Sequence, residues 1–221
     1  MRSEANPQRT FNVLSRDVGA CFACGGMTHA HVLGNSNGPL DAEVIFVAEA
    51  VGRRGGALTG VPLTGDESGR RFARFLATAG IDRGRCFITN AVLCNPIDAA
   101  RRNRAPRVTE VARCRPFLAR TLAVVRAEVV VALGRVALES LRSIAPHDVQ
   151  LPSDGGIPSQ RWCGRTLVGL YHPSRQSTLH RPDRYQLDDW RELGALVRTA
   201  NTSSVHPQRR RDGAEVLVAA T

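Results

Sequence analysis

The chain has 221 residues, a formal net charge of +10 and 43% hydrophobic residues. That length holds one α/β domain with a full core, and the hydrophobic share excludes a wholly disordered chain. No apolar run nears the roughly 20 residues of a membrane helix and no signal peptide opens the sequence, so a cytoplasmic protein is expected rather than a membrane or secreted one.

In chain order, residues 1–17 are polar and irregular and are expected to be a flexible arm. Val44-Ile45-Phe46-Val47-Ala48 is a continuous apolar run of strand length. A Gly-rich loop, 52–65, precedes a helix near 67–79 with Phe72, Phe75 and Leu76 on one face. Residues 86–92 form the next strand, followed by a long Arg-rich loop to about 108 and a helix near 109–125. Val129 to Leu133 form a third strand ending at Gly134, with a helix to about 143. Residues 146–164 read as a loop or weak hairpin, 166–171 as the fourth strand and 184–198 as the last helix. From about Asn201 the composition suggests a disordered basic tail, leaving 18–200 as the folded domain. Alternating strands and helices imply an α/β fold: a three-layer α/β/α sandwich around a mostly parallel four-stranded sheet. Ligands of such sheets bind at the carboxyl ends of the strands, where Glu49, Asn90, Gly134 and His172 fall.

All thirty positive side chains are Arg, and they are not spread evenly. Residues 83–120 hold nine of them against Asp98 and Glu110, a net of +7, whereas 1–17 and 201–221 contribute +1 each. A local basic field points to a polyanionic partner, and the planar Arg fork suits phosphate. Four cysteines form a second pattern. Cys21 and Cys24 make a CxxC, and Cys94 and Cys114 follow at long intervals. In an intracellular protein this reads as a metal site rather than as disulfides, and four thiolates fit either tetrahedral zinc or an iron–sulfur cubane. Cys86 and Cys163, in or beside strands, read as inert thiols.

The order of these motifs resembles the iron–sulfur branch of the uracil-DNA glycosylase superfamily, families four and five, over residues 18–198. The segments carrying the resemblance are CFAC (21–24), VAEAVGRRGGALTGVPLTGD (47–66), TNAVLCNP (89–96), NRAP (103–106), TEVARCRPFL (109–118), ALG (132–134) and YHPSRQST (171–178). The resemblance implies a [4Fe-4S] cluster on Cys21, Cys24, Cys94 and Cys114, serving structure and DNA docking. It further implies a monomeric, nucleoid-associated, bacterial-type enzyme that acts on DNA containing uracil or another deaminated base. Such an enzyme flips the nucleotide and hydrolyses its N-glycosidic bond, initiating base excision repair. Asn90 would read the uracil edge, His172 would stabilise the departing anion, and Glu49 or Asp66 would steady the sugar or orient water. Gly52 and Leu63 would line the base pocket, Arg175 and Gln176 would fill the gap left by the flipped base, and Arg101, Arg102 and Arg104 would lie on the DNA backbone.

The chain departs from the pattern in three places. Ala48 and Val51 replace the Gly and Pro of the family-four first motif, Leu63 stands where both families have a stacking Phe, and the Cys94–Cys114 interval carries extra residues around Asp98–Arg102. That loop has no His, so covalent attachment to DNA is not expected. With no Lys anywhere, a Lys Schiff-base lyase step is also excluded, which favours a monofunctional glycosylase. The altered first motif motivates an alternative, a non-catalytic iron–sulfur DNA-binding module of the same fold. A zinc-stabilised α/β enzyme acting on nucleotides is a third reading.

Overall fold

A computed structural model describes residues 6–153 and 156–203. The first helix, α1 (Pro7–Gly19), occupies most of the segment expected to be an arm. The Asn6 side chain caps it by accepting from the Gln8 and Arg9 backbone N–H groups, and Pro7 opens the first turn without losing a needed donor. Phe11, Leu14 and Val18 form a narrow apolar stripe that is fully buried, with Phe11 edge-on to Phe87 at 5.8 Å. Three apolar residues in a polar segment are a weak periodic signal, and only the surface they cover turns them into an anchored helix.

The remaining elements are β1 (Met27–Thr28), β2 (Val44–Ala50), α2 (Gly56–Thr59), α3 (Glu67–Ala79), β3 (Cys86–Val92), β4 (Asn95–Pro96), α4 (Val108–Val124), β5 (Val129–Leu133), α5 (Arg135–Arg142), β6 (Ser159–Trp162), β7 (Arg165–Leu170) and α6 (Asp183–Ser203). The central sheet runs β3-β2-β5-β7-β6. Its first four strands are parallel, as expected. The fifth, β6, is an antiparallel edge strand paired to β7, so the sheet has one strand more than the four expected. The hairpin closes at Cys163 and Gly164, both with positive φ (48° and 74°), the geometry that matches strand twist in a two-residue turn. A Cys in the first of these positions hides the turn from a sequence reader.

One face of the sheet, with Ile45, Val47, Phe87 and Val130, is covered by α1, α4 and α5 through Leu14, Leu118 and Leu141. The opposite face, with Val44, Phe46, Ile88 and Val131, is covered by α3 and α6. Trp190 of α6 stacks on Phe46 and Phe75 at 5.6 and 5.3 Å. The helices α3 and α6 approach so closely that a Cβ on Gly194 would sit 2.0 Å from the Ala79 carbonyl oxygen. Helix α6 continues five residues beyond the expected end at 198. The tail from 204 onward lies outside the described residues. No helix among the described residues is long and apolar enough to cross a membrane.

If α1 is part of the core, Phe11→Ala should destabilise the fold by about 3–5 kcal/mol, read as a lowered midpoint in chemical denaturation. A flexible arm would show almost no change.

Candidate functional site

Parallel pairing aligns the carboxyl ends of the strands. Ala48 of β2 pairs with Asn90 of β3, and Leu133 of β5 with Leu170 of β7. Side chains alternate along each strand, so Asn90 shares a pleat face with Ala48 and Ile88. Asn90 is only 3% exposed, and its amide makes no hydrogen bond among the described residues. Two residues past β7, His172 is half-buried against Gly134, whose φ is +97° and where a Cβ would stand 3.5 Å from the His172 Cβ. Burial pulls the His172 ring down to about 4, opposed by the nearby charge of Asp66. The imidazole is therefore neutral at physiological pH.

Asp66 has two positions to hold at once. Its Oδ1 accepts from the Gly69 backbone N–H at 2.9 Å as the N-cap of α3, the helix-terminal role favoured by the macrodipole. Its Oδ2 lies against the Gly-rich loop, where a Cβ would come within 3.0 Å at Gly52 and 2.5 Å at Gly55. Gly52 thus belongs to the carboxylate's cradle. Leu63 closes the same loop with a left-handed backbone (φ +49°) and packs half-buried against the α3–α6 side of the core. Glu49 stands apart. It is the penultimate residue of β2, on the pleat face of Ile45 and Val47 rather than that of Asn90. Its carboxyl makes no hydrogen bond among the described residues, and burial raises its pKa. The structure therefore brings Asp66 and His172 within electrostatic reach of each other and leaves Glu49 uncommitted.

The four cysteines meet on the far side of β3. The β1–β4 ladder and the Ile97 N–H to Gly26 carbonyl bond at 3.0 Å draw the CxxC loop to the segment after β3. Helix α4 supplies Cys114, whose Sγ accepts from the Leu93 N–H at 3.5 Å, and the His31 N–H donates to Cys94. The rings of His29 and His31 bond the carbonyls of Cys24 and Cys21 at 3.1 and 2.7 Å, holding the CxxC loop shut. Cys21, Cys24, Cys94 and Cys114 all line one small cavity. Among the described residues no three metal-binding side chains converge as they would on a single ion. Burial holds Cys94 at about 12 and Cys114 at about 11, so both stay thiols until a bound cation reverses that preference. Cys86 donates to the Asp82 carbonyl and Cys163 sits in the β6–β7 turn, both away from this cavity.

The basic loop is less free than its composition suggests. Arg104 is not on the surface for DNA. Its fork grips Glu110 at 2.6 and 2.8 Å, and its remaining donors reach the carbonyls of Ile97, Gly26 and Ala105. Glu110 is 2% exposed and its pKa is lowered first by this fork, so Arg104 is a structural residue that seats α4 beside the cysteines. Arg102 is exposed but paired with Asp98 at 2.9 Å, and that carboxylate also accepts the Arg102 N–H to close a tight turn. Arg101 sits in that turn with φ +57° and no ion-pair partner among the described residues. The neighbouring Asn103 accepts from the Arg53 backbone N–H at 3.1 Å and from the Asn95 amide at 3.0 Å, and Asn95 also bonds the Val51 carbonyl. These two Asn, from the TNAVLCNP and NRAP segments, lock the Gly-rich loop to the cysteine side of the molecule. On the opposite side, Arg175 and Gln176 open an exposed 3₁₀ turn (Arg175–Leu179) that also presents Leu179, 83% exposed.

An α/β/α protein with a polar crevice at the carboxyl edge of its parallel sheet belongs to the class of α/β folds that bind ligands at that edge. The model of the uracil DNA glycosylase superfamily matches residues 36–194, and the chain belongs to that superfamily. It is 31% identical over 164 residues to a type-4 uracil-DNA glycosylase of Archaeoglobus fulgidus, covering 70% of this chain and 77% of that protein. A Thermotoga maritima type-4 uracil-DNA glycosylase is 29% identical over 167 residues, 76% of this chain and 83% of the relative. A type-5 uracil-DNA glycosylase of Thermus thermophilus is 31% identical over 163 residues, 64% and 68% respectively.

The His172 environment makes a testable demand on pH. Its folded value of about 4 lies below the ordinary 6.5, so between these values the unfolded chain binds a proton the native state refuses. Stability from this group is complete above about pH 6.5 and is lost as the pH falls toward 4. Denaturation midpoints at pH 7 and pH 5 should therefore differ less in His172→Gln than in the wild type. Ring-nitrogen NMR should show the imidazole neutral at pH 6.

Proposed function

We propose that the chain hydrolyses the N-glycosidic bond of uracil in DNA. The observation that carries this is Asn90: a buried amide at the carboxyl edge whose donor and acceptor are both uncommitted. Its amide atoms are left without a protein partner at the crevice, where a ligand edge can meet them. The N3–H and O4 of uracil match its acceptor and donor. The neutral His172 donates a ring N–H toward the uracil O2, where negative charge develops as the bond breaks. A neutral donor suits this step because the charge appears only in the transition state.

Of the two carboxylates, Glu49 is the one left free to orient water or steady the sugar, because Asp66 is bound to its helix cap and loop. The buried Glu49 acts as its carboxylate, taking a proton from the water that adds to the sugar, while the bonding pair leaves with uracil. Leu63 offers apolar contact to the flipped base but no π-face. Stacking worth about 1–3 kcal/mol is thereby absent at that position. Arg101 and the exposed turn of Arg175, Gln176 and Leu179 contact the DNA. The function is that of a monomer initiating base excision repair, with other deaminated bases as further substrates.

The four cysteines fit an iron–sulfur cluster. They line one cavity, backbone N–H groups point at two of the sulfurs, and the donor set is wholly thiol. Cys21, Cys24, Cys94 and Cys114 would hold it, and the group would supply rigidity between the CxxC loop, β3 and α4 rather than a reaction step.

Incubating the protein with a uracil-containing oligonucleotide should leave an alkali-labile abasic site. Asn90→Ala and His172→Ala should each lower kcat/KM by about 10²–10³. DNA binding with no abasic product from uracil, hypoxanthine or xanthine would favour the non-catalytic module instead. Independently, anaerobically purified protein should carry about four irons per chain, and Cys114→Ala should lose them together with the visible absorbance. Stoichiometric zinc would overturn the cluster assignment.

A further inference from the structure

Between the Gly-rich loop, the β1 turn and the basic loop lies a second concavity, with about 740 Å³ of empty space. It is lined by Thr28, His29 and Ala30, by Arg53, Ala57 and Leu58, and by Arg101. It is separate from the cysteine cavity, although His29 borders both. It is also not the Asn90–His172 crevice, none of whose residues line it.

Three features say what it would hold. First, its two cations have no acidic partner: Arg53 and Arg101 are exposed, no ion pair to either is present among the described residues, and no carboxylate lines the groove. This contrasts with Arg102 and Arg104 on the same loop, which Asp98 and Glu110 neutralise. Second, Leu58, 78% exposed, lines the groove together with Ala57 and His29. An apolar and aromatic lining between two guanidinium groups is complementary to a nucleobase attached to its phosphates. Third, the groove is pre-formed. The Arg53 backbone is bonded to Asn103, Asn103 to Asn95, and Asn95 to Val51, so both walls are tied to the end of β2.

We propose that this groove is a second nucleotide subsite, taking the phosphodiester and base of a nucleotide that flanks the target on the same DNA strand. Arg53 and Arg101 bind the phosphate oxygens, and Leu58 and His29 pack on the base. The inference rests on the base-excision reading for its choice of DNA. It adds that the strand leaves the crevice toward the cysteine side, over β2 and β3, and that one flanking base is held unstacked from its neighbour.

The test is fluorescence anisotropy with single-stranded oligonucleotides carrying 2′-fluoro-2′-deoxyuridine, whose glycosidic bond resists cleavage. The oligonucleotides end zero to four nucleotides beyond the target on either side. The wild type should gain about tenfold in affinity when one particular nucleotide is added on one side only, and should lose that gain when its base is replaced by an abasic spacer. In Arg53→Gln/Arg101→Gln the step should vanish, and the magnitude of the slope of log K against log salt should fall by about 0.7, the value for one neutralised phosphate on a single strand. Leu58→Ser should remove the part of the step that depends on the base and leave the salt slope intact. All these positions are exposed, and an unchanged thermal midpoint confirms folding. Arg191→Gln, an exposed arginine on α6 paired with Asp188, controls for simple loss of charge. A double variant with the wild-type step and slope overturns the subsite. Uracil excision by the wild type is measured in parallel: its absence overturns the base-excision reading by itself, whatever the groove variants do.

Discussion

Everything in this molecule that handles a ligand depends on the parallel register of β2 between its two neighbours. Because β2, β3, β5 and β7 run the same way, the chain must leave each of them at one edge, and the four departures supply Glu49, the segment after Asn90, Gly134 and His172. The interior strand β2 is apolar on both faces, so its pairing cannot slip by one residue without placing Glu49 where Ala48 now lies, against α3 and α6. The core therefore sets the crevice, and the helices on either face keep the edge rigid enough to hold an uncommitted amide.

The charge on the surface shows how such a frame redistributes what a sequence contains. Four of the nine arginines between residues 83 and 120 are paired with carboxylates. Arg85 pairs with Glu43, Arg102 with Asp98, Arg104 with Glu110 and Arg120 with Asp17, and Arg83 donates to the Pro62 carbonyl. The Arg104–Glu110 pair is buried, and a buried pair of this kind is costly to break because the surviving charge loses its partner. Its position at the start of α4 explains why the extra loop before Cys114 is tolerated. The loop folds back on itself through Asp98, and the helix still delivers its thiol to the cavity.

Asp66 and the Gly-rich loop illustrate the same economy. A single carboxylate caps α3, fills the space beside Gly52 and Gly55, and raises the proton affinity of His172 against the opposing effect of burial. The left-handed Leu63 adds local strain where the loop turns into the helix, a conformation unusual for a Leu.

The sequence by itself determined the alternation of strands and helices, the parallel sheet, the residues at its carboxyl edge and the four-cysteine set. Each of these is written in local periodicity or in residue types that have few other uses. It did not determine α1, whose three-residue stripe has meaning only against Phe87, nor β6, whose turn is built on a Cys at positive φ. Nor could it sort the arginines, because whether Arg104 meets DNA or Glu110 depends on which carboxylate the fold brings within 3 Å. The groove lined by Arg53, Leu58 and Arg101 was invisible for the same reason. Its walls come from segments nearly fifty residues apart, joined through Asn95 and Asn103. Local pattern decides what an element is, whereas only packing decides which polar groups are already satisfied and which remain for a ligand.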